Sequence, residues 1–430
     1  FYTKMDKTLR PHQVFRHELG AKTNADQLIY EEQDSKFRLG LGESRSEEFI
    51  FLHSESSITT EIQFMSSLTP KASFQIFCPR HEGHEYSIEH QASRWLILTN
   101  DSNNEDGSHN DKSQNFKLME APLEQFKYQY WRELIPHRET VQLSQIEVFE
   151  EHFIVFEREN GLEYLRVIDL KLQKDHRIPM PESVFSIWSS SNPNNKSRIF
   201  RFGYMSLISP ASYYEWDLDN HQLNLLKETA VIGYRKEDYT CDRVWVTAKD
   251  GAQIPLSIVH RKDIDRSIPN PLLLYGYGAY GITLDPYFSG ARISLLDRGI
   301  IYVISHIRGG GEMGRHWYEN GKFLHKKNTF NDFISSAEHL IEKGYTSPNL
   351  LAISGGSAGG LLIGATINMK PELFLAAVAD VPFVDVLTTM LDETIPLTTN
   401  EWEEWGNPKE KSFFDYMWSY SPYDNVKSQD

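Results

Sequence analysis

Between Leu350 and Ile367 the chain reads as three things in immediate succession: an apolar strand, a glycine-lined turn holding one serine, and an apolar helix. The strand is Leu350-Leu351-Ala352-Ile353 and the turn is Gly355-Gly356-Ser357-Ala358-Gly359; the helix runs on through Leu361-Leu362-Ile363-Gly364-Ala365-Thr366-Ile367. A strand that reverses straight into a helix needs backbone free of obstructing side chains, which the glycines supply. The bend leaves the serine at its apex, in the setting of a G-x-S-x-G nucleophile elbow. Free N–H groups and the positive dipole end of the new helix then favour a developing oxyanion beside it. The stretch suits a mostly parallel sheet backed by helices, with Ser357 as candidate nucleophile at a strand's carboxyl end or, alternatively, as part of a plain tight turn.

The flanking sequence has the matching rhythm. Past Tyr234, apolar strands over 244–246, 255–259, 272–275 and 300–304 are followed by a helix over 330–343, whose Ile334, Ala337 and Ile341 share one face. A buried strand over 376–381 follows the elbow helix. Upstream the rhythm differs. Residues 48–53, 95–99, 152–156, 164–168 and 213–217 read as short strands between polar turns such as 100–114 and 189–196, without helical periodicity. Strands at this spacing suit a sandwich, a barrel or a propeller. A propeller blade takes roughly 40–50 residues, so this half holds about five. The expected organisation is an all-β unit over 1–235 and an α/β unit over 236–430.

With 40% hydrophobic and 13% aromatic residues, a chain of 430 has enough apolar surface for two sizeable cores. A net charge of −16 argues against a nucleic-acid partner. No apolar run approaches a membrane span, so no membrane insertion is expected. Cys78 and Cys241 are too few for a disulfide framework, which points to a reducing, cytoplasmic setting.

A serine hydroxyl is a poor nucleophile until a base takes its proton. In the chain order that accompanies such an elbow, an acid and then a histidine follow the serine. Aspartates follow Ser357, but up to Asp430 no histidine does. His306, His316, His325 and His339 precede it and read as structural. The Ala358 N–H is one expected oxyanion donor. The loop Tyr275-Gly276-Tyr277-Gly278-Ala279-Tyr280-Gly281 is either the source of a second donor, through a tyrosine hydroxyl, or an aromatic packing surface.

Gly309-Gly310-Gly311-Glu312-Met313-Gly314 formally fits a dinucleotide-binding pattern. Gly321 follows too soon for the long helix such a site requires, so no nucleotide cofactor is expected. His81-Glu82-Gly83-His84-Glu85 lacks the histidine spacing of a helical zinc motif and shows no third ligand, so it reads as a solvated loop and no metal is expected. Glu401, Glu403 and Glu404 are interleaved with Trp402 and Trp405. That run is either acidic surface or a place where carboxylates and ring faces hold a cation.

The segments LLYGYGAYG, SHIRGGGEMGRHWYENGKF, KKNTFNDF, GYTSPNLLAISGGSAGG, PFVDVLTTMLDETIPLTTNEWEEWGNP and YSPYDNV together resemble the prolyl oligopeptidase family, and within it the oligopeptidase B branch. They run in order through most of 240–426, while LRPHQVFRHELG carries the looser match upstream. The resemblance implies a seven-bladed propeller capping an α/β-hydrolase domain, roughly five of those blades lying in this chain. It implies Ser357 as nucleophile, Tyr277 as side-chain oxyanion donor and the Ala358 amide as backbone donor. It further implies that Glu401 and Glu403 bind a basic P1 side chain and that Asp285 meets a basic group at P2, where Tyr287 replaces a second acid. The implied activity is hydrolysis of short basic peptides after arginine or lysine, through an acyl-enzyme and without a cofactor. On the same basis the triad aspartate and histidine are expected beyond Asp430 and further propeller sequence before Phe1, leaving this chain inactive alone. Two other readings fit the same residues. One is a catalytically silent relative that binds peptides or proteins; the other is a prolyl-specific oligopeptidase, which the acidic run disfavours.

Overall fold

The computed structural model describes residues 1–101 and 113–428. Most of the turn expected over 100–114 lies outside the described residues. From Tyr2 to Glu228 the short strands form five antiparallel sheets in chain order. The first has three strands, Tyr2–Met5, Pro11–Arg16 and Gln27–Glu31. Four four-stranded meanders follow, opening with Arg38–Glu43, Tyr86–Gln91, Val141–Val148 and Ser186–Ser189. Only single 3₁₀ turns interrupt them among the described residues.

What joins these sheets is aromatic packing. Trp95, fully buried, lies between the second and third sheets with ring centroids 4.7 Å from Phe49, 5.1 Å from Phe64 and 5.5 Å from Phe77. Between the fourth and fifth sheets, Phe156, Phe200, Phe202 and Trp216 form a comparable cluster. Consecutive meanders, each sealed to the next by its own apolar seam, are the blades of a propeller. The structure therefore selects the propeller from the three architectures that strand spacing alone allows.

From Tyr239 onward one six-stranded sheet takes over, in the order Tyr239–Thr247, Gln253–Arg261, Ile301–Ser305, Leu272–Tyr275, Leu351–Gly356, Ala376–Asp380. The first pairings are antiparallel and the last four strands are parallel, as in an α/β-hydrolase sheet with a doubly wound core. The helix Lys327–Glu342 buries Phe330, Phe333, Ile334, Ala337 and Leu340, a stripe of helical period. The elbow helix Ala358–Met369 is buried on every side from Ala358 to Thr366, as its uninterrupted apolar sequence requires.

One expectation is corrected. The strand Ala376–Asp380 forms, but every residue in it is exposed. It pairs with Leu351–Gly356 on one side, and no described strand pairs with its other edge. An apolar run specifies a strand; it does not specify what covers it.

Because Trp95 holds two blades together, Trp95→Ala should cost about 3–5 kcal/mol of unfolding free energy. Urea denaturation followed by circular dichroism would measure this, with the half-exposed Trp418→Ala as a control expected to stay within ~1 kcal/mol.

Candidate active site

The elbow strand runs parallel to Leu272–Tyr275, with Ser354 level with Tyr275, so the loops that leave these two strands emerge at one edge of the sheet. Ser357 leaves at φ 54° and ψ −117°. A side chain is held in that left-handed region only by its surroundings. Here the Ser357 N–H donates to the Asp380 carbonyl at 2.9 Å, and the Ser357 carbonyl accepts from Gly360 at 2.9 Å and Phe383 at 3.0 Å. These bonds fix the backbone and leave the side chain exposed. Ala358 opens the helix, and its N–H makes no hydrogen bond among the described residues, so a free donor stands beside the serine at the helix's positive end.

The tyrosine loop lies against this turn. A Cβ on Gly355 would fall 2.4 Å from the Gly359 carbonyl oxygen and 3.0 Å from that of Gly276; one on Gly359 would fall 2.8 Å from Gly276. Elbow and loop are thus in backbone contact. Tyr277, half-buried, comes close enough to Ser357 for the two side chains to interact. Burial pushes its phenol above the ordinary value, so at neutral pH it remains a hydrogen-bond donor.

The acidic run folds as the helix Thr398–Trp405, and helical geometry separates its carboxylates. Residues three apart share a face, whereas residues two apart point different ways. Glu401 and Glu404 accordingly turn to the tyrosine loop. Glu401 Oε2 accepts from the Tyr280 hydroxyl at 2.8 Å and from Trp405 Nε1 at 3.0 Å. Glu404 accepts from the Tyr280 N–H at 2.9 Å and from the Tyr318 hydroxyl at 2.6 Å. Glu403 faces the propeller, where it accepts from the Ser57 N–H at 3.0 Å.

Beneath the loop lies Lys326, fully buried. Its Nζ donates to the Gly278 carbonyl at 2.5 Å and sits 4.9 Å from the centre of the Trp405 ring. Burial drives this ammonium down to about 8, opposed by the charge of Glu404. Burial likewise raises the Glu404 carboxyl, opposed by Lys326 and by the donors it accepts from.

A cavity of about 630 Å³ opens here between the two halves of the molecule. Tyr280, Tyr318, Glu401 and Glu404 line one side, and Lys36 and Arg38 of the second blade the other. Of the sequence-predicted site residues, only Glu401 is among its lining; Ser357, Tyr277, Ala358, Glu403 and Asp285 are not. Both Asp285 oxygens are engaged by Arg158 of the fourth blade, at 2.8 and 3.2 Å. Tyr287 is exposed and its carbonyl accepts from Arg292 at 2.7 Å. Glu404, one of the acidic run, and Lys326, which the sequence does not single out, are buried charges bonded to the loop. A lysine in a helical stretch carries no signal of burial, and three neighbouring glutamates look alike until a helix phase is assigned.

The remaining motifs resolve as follows. His306 is buried, its Nε2 2.7 Å from the Ser257 hydroxyl, and none of the four upstream histidines hydrogen-bonds Ser357 among the described residues. The glycine run ends in a helix of five residues, Arg315–Glu319. Its Gly309 instead permits close packing on the tyrosine loop, because a Cβ there would sit 2.1 Å from the Gly278 oxygen.

The reading of 81–85 as a solvated loop is corrected. His84 is buried, and Asp101, also buried, brings a third potential ligand, the three atoms lying within 4.8 Å of one another. The separation in sequence hides Asp101. However, the His81 and His84 rings stack at 4.4 Å with 12° between planes. Ring-nitrogen lone pairs lie in those planes, so near-parallel rings do not converge on one ion as a tetrahedral site requires.

Comparison with known proteins agrees with this geometry. Residues 1–229 match the profile of the prolyl oligopeptidase N-terminal β-propeller domain, and 286–430 that of the prolyl oligopeptidase family. Dipeptidyl aminopeptidase BI of Pseudoxanthomonas mexicana is 42% identical over the whole chain, and protease 2 of Moraxella lacunata 40%. The chain spans 58% and 60% of those two relatives. Oligopeptidase B from Trypanosoma brucei, solved with covalently bound antipain, superposes with a TM-score of 0.92 at 38% identity. That match covers all of this chain and 61% of the other.

The buried ammonium gives a pH signature. Between about 8 and the 10.5 of an exposed lysine, the unfolded chain binds more protons than the folded one, so stability rises with pH in that window. Relative to Lys326→Met, the parent chain should gain about 2–3 kcal/mol in unfolding free energy on going from below pH 8 to pH 10.5. Urea titrations of both proteins across this range read it directly. A difference independent of pH would mean that Lys326 is solvated.

Proposed function

The chain belongs to the prolyl oligopeptidase family of serine peptidases, and on that premise we propose that it carries the nucleophile and substrate-binding side of an oligopeptidase cleaving short peptides after arginine or lysine. The observation that carries this reading is Glu401. Its carboxylate borders a half-open cavity and is tied through Tyr280 to the loop that bears Tyr277. Oε1 of Glu401 has no hydrogen-bond partner among the described residues and is available to a guanidinium or ammonium.

In this reading the Ser357 hydroxyl attacks the peptide carbonyl, and the charge that develops on its oxygen is held by the Ala358 N–H and the Tyr277 hydroxyl. Collapse of the tetrahedral intermediate breaks the C–N bond. The amine leaves with the proton that the base took from serine, and water then hydrolyses the acyl ester. None of the described hydrogen-bond partners of Ser357 is a histidine, and this reading leaves the base to be supplied by residues other than those described. Glu404, coupled to Lys326 and bonded to Tyr280 and Tyr318, holds the wall in place beside Glu401. The pairing of Asp285 with Arg158 supports a role in tying propeller to hydrolase rather than in a free P2 site. Cys78 and Cys241 are unpaired, and burial pushes both thiols up to about 12, which suits a reducing, cytoplasmic setting.

The test is a panel of peptide arylamides differing only at P1, assayed on the complete gene product. Arginine and lysine substrates should be hydrolysed, and Ser357→Ala should lower kcat by at least about a thousandfold. Glu401→Ala should lower kcat/KM for the arginine substrate on the order of a hundredfold. A preference for proline would establish the prolyl-specific alternative, and tight peptide binding without turnover the silent one.

A further inference from the structure

We infer that Tyr280 is a positioning residue that couples P1 recognition to the oxyanion hole, through a hydrogen-bonded unit it forms with Glu401, Glu404 and Lys326. This rests on the functional reading above and adds to it the means by which a charge at P1 affects the chemical step.

Tyr280 occupies a left-handed backbone conformation, φ 60°, that a tyrosine does not adopt unaided. The turn 279–282, closed by the Ile282 N–H on the Ala279 carbonyl at 3.1 Å, and the helix Thr398–Trp405 together hold it. The Tyr280 N–H is taken by Glu404 and its hydroxyl by Glu401, and its ring stands edge-on to Trp405 at 5.7 Å and 87°. Two residues earlier, Gly278 is also left-handed, φ 70°, and its carbonyl is taken by Lys326. The short segment between these anchors can therefore shift only if one of them yields. Tyr277 adjoins that segment, its ring 6.4 Å from the ring of Tyr280. Glu404 links the two anchors, because it holds the Tyr280 N–H and its charge acts on Lys326.

The same Glu401 that holds the Tyr280 hydroxyl is the carboxylate proposed to receive a basic side chain. Both of its internal donors bind Oε2, so a cation reaching Oε1 fixes the carboxylate more firmly without displacing Tyr280. A charged P1 group then tightens the anchor of the loop that aims Tyr277. Binding energy remote from the scissile bond is thereby expressed in kcat. A neutral P1 group of the same shape fills the cavity but does not restrain Glu401.

The experiment compares arginyl with citrullinyl arylamides, which differ at P1 in charge but hardly in shape, on the complete gene product, with active sites counted by an irreversible serine-directed titrant. The parent's kcat/KM on the two substrates reads the functional proposal alone: without a preference for arginine, that proposal fails. Tyr280→Phe reads the coupling. It keeps the backbone N–H and the ring and removes one hydroxyl from a side chain 37% exposed. The expected result is a fall of about tenfold in kcat on the arginyl substrate, KM changing less than about threefold, and kcat on the citrullinyl substrate nearly unchanged. The arginine-to-citrulline ratio of kcat thus collapses. Glu404→Gln, which keeps an acceptor for the Tyr280 N–H but loses the charge facing Lys326, should also lower kcat on the arginyl substrate more than it raises KM. If Tyr280→Phe alters only KM, or lowers kcat equally on both substrates, the coupling is wrong and Tyr280 is merely part of the cavity wall.

Discussion

The carbonyl of Gly276 lies against the Cα positions of both Gly355 and Gly359, and the approach is possible because no Cβ occupies the space between them. Two parallel strands normally deliver loops separated by at least the width of their side chains. Here the missing side chains let the tyrosine loop rest directly on the elbow. The nearness of Tyr277 to Ser357 follows from that contact. Ser357 keeps its strained backbone because Asp380, Gly360 and Phe383 hold it, and the Tyr277 side chain comes within reach of the Ser357 side chain.

A loop brought so close must also be stopped from moving, and the structure assigns that task to buried charge. Lys326 and Glu404 are costly groups to remove from water, and each tolerates burial because it is hydrogen-bonded and near the other. Apolar residues in their place would fill space, but they would offer no acceptor for the Tyr280 N–H and no donor for the Gly278 carbonyl. The pair thus exchanges some stability for a defined loop position. The propeller is tied into the same arrangement. Arg158 grips Asp285, Arg315 pairs with Glu85 at 2.7 Å, and Glu403 accepts from Ser57, so the acidic helix touches the tyrosine loop on one face and the blades on another. Arg158 is nearly fully buried, which makes its pair far less subject to screening than an exposed bridge would be.

What could be read in the sequence was whatever depends on neighbours along the chain. Alternating short apolar runs located nearly all the strands cited, often within a residue or two, and the helix over 330–343 appears as Lys327–Glu342. The Gly-Gly-Ser-Ala-Gly turn identified the elbow because its glycines are needed locally. Strand spacing by itself left a propeller among three architectures; the family resemblance implied it, and aromatic side chains such as Trp95 meeting residues from another sheet show it. The exposure of Ala376–Asp380 was hidden, since burial is a property of what lies opposite.

At the site the division is the same. Sequence by itself determined the strand–turn–helix setting of Ser357, the presence of a glycine–tyrosine loop after a buried strand, and an acidic run interleaved with tryptophans. Tertiary structure alone decided which acids face the cavity. The helix phase turned Glu401 and Glu404 together and sent Glu403 to the propeller, and Arg158 took up Asp285 from a position 127 residues away in the chain. It also placed Lys326 under the loop and stacked His81 on His84 beside Asp101. Side-chain chemistry is written residue by residue, but direction and burial are set by packing between segments distant in sequence.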